Sequence, residues 1–453
     1  MKGLLTSFTL YFLLFTQQMF SQHEIFISKT DSLLNYLHQK NRFCGTILVS
    51  KGDDLIYHKT FSATTDLPSN ENYRIASITK MFTAVIIYQL AEENKLSLPD
   101  KLNKYYPEIE NAESITIQQM LGHQSGIKDI ISNDDFSSIK SNSMTKMEVL
   151  KMISSYKPVF EPGEKTQYSN SNYILLGYII EDISGIPFSD VLTKRICEPL
   201  GLNETYVEGS GGNITRNTGY LFNGAGWEAS NSETNATISA AAGAIISSPA
   251  DLNRFIQALF NDDLVNNNSL DTMCSLTNST YGHGIFYTPY LNHAGFGHTG
   301  HIDEFRSFAT YLNADSVSLV FCFNGLNYAM NEIAIGVLSY YFDDEYKFPD
   351  LTTITLTEDE LQKYQGIYRL KLFHFIPILK VKIMHENGVL STAQLKNFEE
   401  EKSIVEPIAA DTFKNFQYSS TLYFVYKKNG KIKGCYLEQG KNKLYCRKLK
   451  SEV

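Results

Sequence analysis

The chain has 453 residues, 43% hydrophobic and 20% charged, with 28 Tyr, 28 Phe and one Trp. So much aromatic surface excludes a disordered chain and suffices for one large domain and one small one. A formal charge of −9 leaves no excess of cations to attract phosphates, so no nucleic-acid partner is expected.

Lys2 precedes a mostly apolar run from Leu4 to Phe15, followed by polar residues and Ser21. This basic n-region, short apolar core and small residue predict a cleaved signal over 1–21 and an exported product, periplasmic or secreted. The run is short for a membrane span, although an uncleaved anchor or a buried helix can be read from the same residues. No Cys marks a lipoprotein cleavage site.

Residues 22–342 read as one unit. Phe43–Ser50 and Leu55–Phe61 flank Lys51-Gly52-Asp53-Asp54 and predict a β-hairpin. The pattern changes at Ser77. Met81, Phe82, Ala84, Val85, Ile86, Ile87, Leu90 and Ala91 form a long apolar run without Pro or Gly, which predicts a helix buried mid-domain. A mainly helical section then extends to about Phe260, with Ser114–Gly122, Lys146–Ser155, Asn172–Ile183, Pro187–Ile196 and Pro249–Phe260 as its helices. Pro249 suits a first helical turn, where no N–H is needed. Phe305–Leu312 and Val317–Phe323 predict a second hairpin, and Met330 to Tyr341 a closing helix. The expected fold is α+β, an antiparallel sheet built from both ends of the segment, flanked by helices and carrying a large helical insertion.

Residues 343–357, with Pro349, read as a linker, and 358–453 as a separate C-terminal β domain. Charge supports the division: 351–453 carry 17 Lys+Arg against 11 Asp+Glu, whereas 1–350 carry 23 against 38. Gly366–Phe373, Leu379–Met384, Gly388–Leu395, Thr412–Phe416, Tyr418–Tyr426, Lys431–Leu437 and Lys443–Leu449 are six or seven short β-prone segments. They predict a small antiparallel barrel or sandwich. Lysines 427, 428, 431, 433, 441 and 443 read as a solvated face, with contact to an anionic surface as the alternative.

Of six cysteines, Cys44, Cys197, Cys274 and Cys322 lie in apolar surroundings and read as buried thiols. If Gly440-Lys441 centres a turn, Cys435 faces Cys446, which leaves a disulfide and two free thiols both open. His283, His293, His298 and His301 cluster in sequence, but no HExxH or zinc-finger spacing accompanies them. No metal and no cofactor are expected.

Three groups of residues have chemistry to offer. Ser77 and Lys80 share one face at the start of the buried helix, where the positive helix end favours charge on Ser77 Oγ. A Lys entering an apolar interior loses proton affinity and becomes a plausible base. Ser137/Lys140, Ser143/Lys146 and Ser154/Lys157 have the same spacing, but in polar surroundings. Tyr168-Ser169-Asn170 follows the Pro162-Gly163 turn; its phenol can stay partly deprotonated or relay a proton, and its amide can donate to a substrate carbonyl. Such polar loop residues are also common helix caps. Gly297-His298-Thr299-Gly300-His301 places glycines beside a strand edge, where a substrate backbone can approach. His123, in Leu121-Gly122-His123-Gln124-Ser125-Gly126-Ile127, reads as fixing a helix end and a loop.

Taken in order, Ser77/Lys80, Tyr168/Asn170 and His298/Thr299/Gly300 closely resemble the serine β-lactamase and penicillin-binding-protein superfamily. The branch is that of class C β-lactamases and D-alanyl-D-alanine carboxypeptidases, which also contains esterases and D-aminopeptidases. Tyr73-Arg74-Ile75-Ala76-Ser77, Glu198-Pro199-Leu200-Gly201-Leu202 and Ala241-Ala242-Gly243 support it, and the resemblance covers about residues 30–342. It implies Ser77 as acylated nucleophile, Lys80 as its base and Tyr168 as proton exchanger with leaving group and water. Asn170, His298, Thr299 and Gly300 would contact substrate, and the Ser77 and His301 N–H groups would form the oxyanion hole.

The chain has HTG where dedicated lactamases have KTG, and a neutral His attracts a carboxylate less than Lys does. The implied substrate is therefore a D-amino-acid-containing peptide, in carboxypeptidase fashion, with cell-wall association. A small acyl ester or a β-lactam is the alternative, and a non-catalytic binding or scaffold role the last. Tyr364-Gln365-Gly366-Ile367-Tyr368 is similar to the opening of lipocalin-like barrels found after several exported hydrolases of this group. Oligomeric state has no sequence signal.

Overall fold

The structure is a computed structural model that describes residues 22–65, 70–132, 136–210, 215–231, 233–372, 376–386, 388–394 and 402–449. The expected signal segment 1–21 lies outside the described residues. A six-stranded antiparallel sheet runs in the order Asp54–Phe61, Phe43–Lys51, Val317–Leu326, Phe305–Leu312, Gly295–Ile302, Phe286–Tyr287. It is assembled from both ends of the first unit, as expected.

Alternation along the central strands feeds two cores. Val317, Leu319, Phe321 and Phe323 pack on one face with the helices at 22–39 and Met330–Phe342. Val320 and Cys322 point the other way, toward Pro249–Phe260 and the helical insertion. A sheet covered on both faces reads in sequence as continuous apolar runs, which is why these strands were legible.

Thr79–Glu92 is the buried helix, and 11 of its 14 residues are buried, Lys80 among them. Packing rather than propensity holds it, since each buried Leu, Ile, Val, Phe or Met contributes about 1.5–3 kcal/mol. The section after it is less purely helical than expected. It also contains Tyr206–Val207 and Ile245–Ser247, which form a three-stranded sheet with Tyr73–Arg74 from before the helix, and a hairpin of Tyr220–Phe222 with Trp227–Ala229. Strands of two or three residues carry too little alternation to reveal themselves.

Eight strands between Gly366 and Lys448 form a closed antiparallel barrel, sealed by Tyr368 opposite Lys448 and Leu370 opposite Cys446. One strand, Lys402–Ala409, was not anticipated. Only its Ser403 and Val405 are buried, and Pro407 interrupts it, so its composition hides the strand. Cys435 does face Cys446 across the last hairpin, inside the barrel core, and both are free thiols in the structure.

Barrel and sheet unit are clasped by Arg42, which is 2% exposed. Its guanidinium donates to Glu406 through both terminal nitrogens and lies 4.0 Å from the centre of the Phe416 ring. Phe416 packs into the core of the sheet unit, and its carbonyl accepts from the Ala329 N–H at 3.0 Å.

Candidate active site

The site forms where the buried helix meets the edge of the sheet. Ala76 takes a φ of +49°, a left-handed conformation that costs a non-glycine residue about 1–3 kcal/mol. Neighbours impose it. The Ile75 N–H donates to the Ile245 carbonyl at 3.1 Å, and Ser307 Oγ donates to the Ile75 carbonyl at 2.7 Å. Strand Gly295–Ile302 closes on this turn at Gly300, where any Cβ would collide with the Ile75 carbonyl and Ser307 Oγ. Arg74, 2% exposed, braces the same turn by pairing with Glu208 at 2.8 Å and with Asp303, beyond the strand's end, at 2.6 Å.

Lys80 Nζ lies 3.0 Å from Ser77 Oγ, 2.8 Å from Asn170 Oδ1 and 2.7 Å from the Ala242 carbonyl. The two carbonyl oxygens can only accept. A neutral amine that donates to both must turn its lone pair toward the Ser77 hydroxyl, the geometry a base requires. Burial pushes the Lys80 pKa down to about 7, against a smaller upward pull from Asp129.

Asp129 had no sequence signal, because its contact with Asn170 spans 41 residues. Its carboxylate accepts from the Asn170 backbone N–H at 3.1 Å and from the Asn170 amide nitrogen at 3.1 Å. The amide oxygen thereby serves Lys80, and the amide nitrogen serves Asp129 while having a second N–H to give. Asp129→Asn is therefore expected to let the amide turn over and to lower acylation about 10–100-fold with KM little changed. Loss of the negative charge should also move the acid limb of the pH–rate profile downward. Stopped-flow acylation rates from pH 5 to 9 check both.

Tyr168 is half-buried, its phenol is near enough to Ser77 to feel it electrostatically, and Lys80 Nζ sits 5.0 Å from its ring centre. Burial raises its pKa above the ordinary phenol value, so the hydroxyl keeps its proton at neutral pH. That direction argues against the phenolate that the sequence left open beside a relay.

Thr299 and His301 are exposed on the strand, whereas His298 is only 1% exposed. His298 packs against Phe286 and Tyr281, and its Nδ1 donates to the Thr299 carbonyl. Burial, reinforced by Lys80, depresses its pKa to about 3, so it is neutral throughout the physiological range. The structure thus brings together Ser77, Lys80, Tyr168, Asn170 and the His298–His301 strand, and adds Asp129 to them. Among the described residues no group of His, Cys, Asp and Glu could hold a metal.

A serine in contact with a buried lysine, with a tyrosine beside them, on this α+β fold is the arrangement of a serine-hydrolase-type enzyme. The chain belongs to the Beta-lactamase family, whose model matches residues 30–337. It is similar to penicillin-binding protein 4* of Bacillus subtilis, with 31% identity over 279 residues. That match covers 56% of this chain and 61% of the relative, less than two thirds of the relative's length. Among solved structures, a D-stereospecific amidohydrolase from Streptomyces sp. shows 25% identity and a TM-score of 0.60, over 70% of this chain and 98% of the other. The octameric penicillin-binding protein homologue from Pyrococcus abyssi shares the fold over 92% of this chain and 99% of its own, at 24% identity and a TM-score of 0.62.

Proposed function

We propose that the protein is an exported serine hydrolase that forms an acyl-enzyme at Ser77 and acts on D-amino-acid-containing peptides, as a D-alanyl-D-alanine carboxypeptidase does. The observation that carries the chemistry is the saturation of Lys80 by two obligate acceptors, which leaves Ser77 as the partner of its lone pair. In this reading Ser77 Oγ bonds the acyl carbon while its proton passes to Lys80. The tetrahedral oxyanion is held by the Ser77 and His301 N–H groups, and its collapse expels the leaving amine, protonated through Tyr168. Water then attacks the ester, loses a proton by the same route, and releases the acid and free Ser77. Asn170 and Thr299 contact the substrate.

The substrate class is supported by the names of similar proteins, a penicillin-binding protein and a D-stereospecific amidohydrolase. Export is supported by the basic and apolar N-terminus, and cell-wall association follows from such a substrate. A second reading, a small acyl ester, is favoured by the neutrality of His298, which offers no fixed charge to a terminal carboxylate. The same neutrality makes efficient β-lactam hydrolysis the weaker alternative.

A panel of peptides ending D-Ala-D-Ala or L-Ala-L-Ala, together with p-nitrophenyl esters from acetate to octanoate, separates the readings. D-alanine release from the D,D peptide, with the L,L peptide inert, is the expected result. Fast ester turnover with both peptides untouched would replace the peptide reading by the esterase one.

A further inference from the structure

Tyr168 is held on both flanks by a single residue, His123. The His123 carbonyl accepts the Gln167 N–H at 2.9 Å, and its imidazole Nδ1 accepts the Ser169 N–H at 3.2 Å. The residues immediately before and after Tyr168 therefore hang on the same side chain and its own backbone. The imidazole also lies against the phenol, with ring centroids 4.2 Å apart and planes 35° from each other.

Two donors converge on Nδ1, because the Asn172 amide nitrogen reaches it at 3.3 Å. That amide is oriented by Ser125 Oγ, which donates to its oxygen at 2.6 Å. Nδ1 must then be an acceptor, so the ring is neutral and its proton is on Nε2. His123 is 1% exposed and takes a φ of +55°, a conformation in which His and Asn are enriched among non-glycine residues.

We propose that His123 is a positioning residue for Tyr168, holding the phenol at the depth and angle that aim it toward Ser77 and Lys80. This rests on the reading of Tyr168 as the proton relay. Toward the helix end His123 uses its backbone, whose N–H donates to the Met120 carbonyl at 3.2 Å; the ring stacked on the phenol, with an acceptor for the next N–H, is suited to aiming that one side chain. Misplacing a reacting group by about 1 Å can cost about 100-fold, so the clamp is worth testing as part of the catalytic apparatus.

The test compares His123→Phe, His123→Asn, Tyr168→Phe and the double variant Y168F/H123F, on whichever substrate the panel turns over. H123F keeps a ring but loses the acceptor; H123N keeps an acceptor near the position of Nδ1 and tolerates the positive φ. Expected are a kcat about 10–100-fold lower for H123F with KM within about twofold, and recovery to within about threefold of the parent in H123N. In the Y168F background the H123F change should cost no more than about twofold, since nothing remains to be aimed. A full H123F penalty in that background, a loss carried by KM, or an H123N no better than H123F would overturn the proposal. Parent-like turnover by Y168F would instead remove the relay reading, and the proposal with it. Should H123F not fold, His123→Gly suits the same backbone and must give the same split.

Discussion

Ser77→Ala is expected to lower kcat/KM by about four to six orders of magnitude while leaving the fold intact. Every turnover in the proposed mechanism passes through a bond to Ser77 Oγ, so no other hydroxyl can substitute. The change is structurally mild. Ser77 is only partly buried, and its Oγ meets Lys80 at 3.0 Å, so no core volume is lost. Substrate affinity should survive, because Asn170 and the strand from His298 to His301 are untouched. Steady-state kinetics and thermal unfolding of the two proteins, side by side, read both expectations. A variant that retains even a hundredth of the parent rate would point to a different nucleophile.

Lys80→Ala is expected to cost about 10²–10⁴ in acylation and to flatten its pH dependence. In the parent, acylation should rise by roughly two orders of magnitude between pH 5 and 8, following the free-base fraction of a lysine with a pKa of about 7. Lys80→Arg should be equally inactive, since a guanidinium does not give up its proton. Stability carries the same signature. A lysine whose folded pKa lies below the unfolded value of about 10.4 binds fewer protons in the folded state between those two values. Its penalty is therefore full below pH 7 and is relieved as pH rises toward 10. Melting temperatures should climb from pH 7 to 9 in the parent relative to K80A, and an opposite trend would contradict a buried, proton-poor Lys80.

How much of this was written in the sequence differs from residue to residue. Ser77 and Lys80 stood out because their SxxK spacing opens a helix apolar on nearly every face, and the structure buries that helix. The Cys435–Cys446 register followed from one turn, since strand pairing propagates from a hairpin centre. Asp129 was invisible because its work is done on a residue 41 positions away, through an amide orientation that no local pattern encodes. Arg74 was seen only as part of a phrase; its partners Glu208 and Asp303 come from distant segments. The strand Lys402–Ala409 was missed because half-exposed polar positions mask a β pattern. His298 was expected to be neutral for much of the time. Its burial among Tyr168, Tyr281 and Phe286 pushes the neutral form further, a property of packing rather than of the imidazole.

The acyl-enzyme itself is the most direct target. Acid quenching during turnover of the fastest substrate, followed by intact mass and tryptic mapping, locates any covalent adduct. The peptide Ile75–Lys80, released by cleavage after Arg74 and Lys80, should carry one acyl equivalent on Ser77, and S77A should carry none. An acyl group on any other residue, or turnover with no adduct under conditions where deacylation is rate-limiting, would contradict a Ser77 nucleophile.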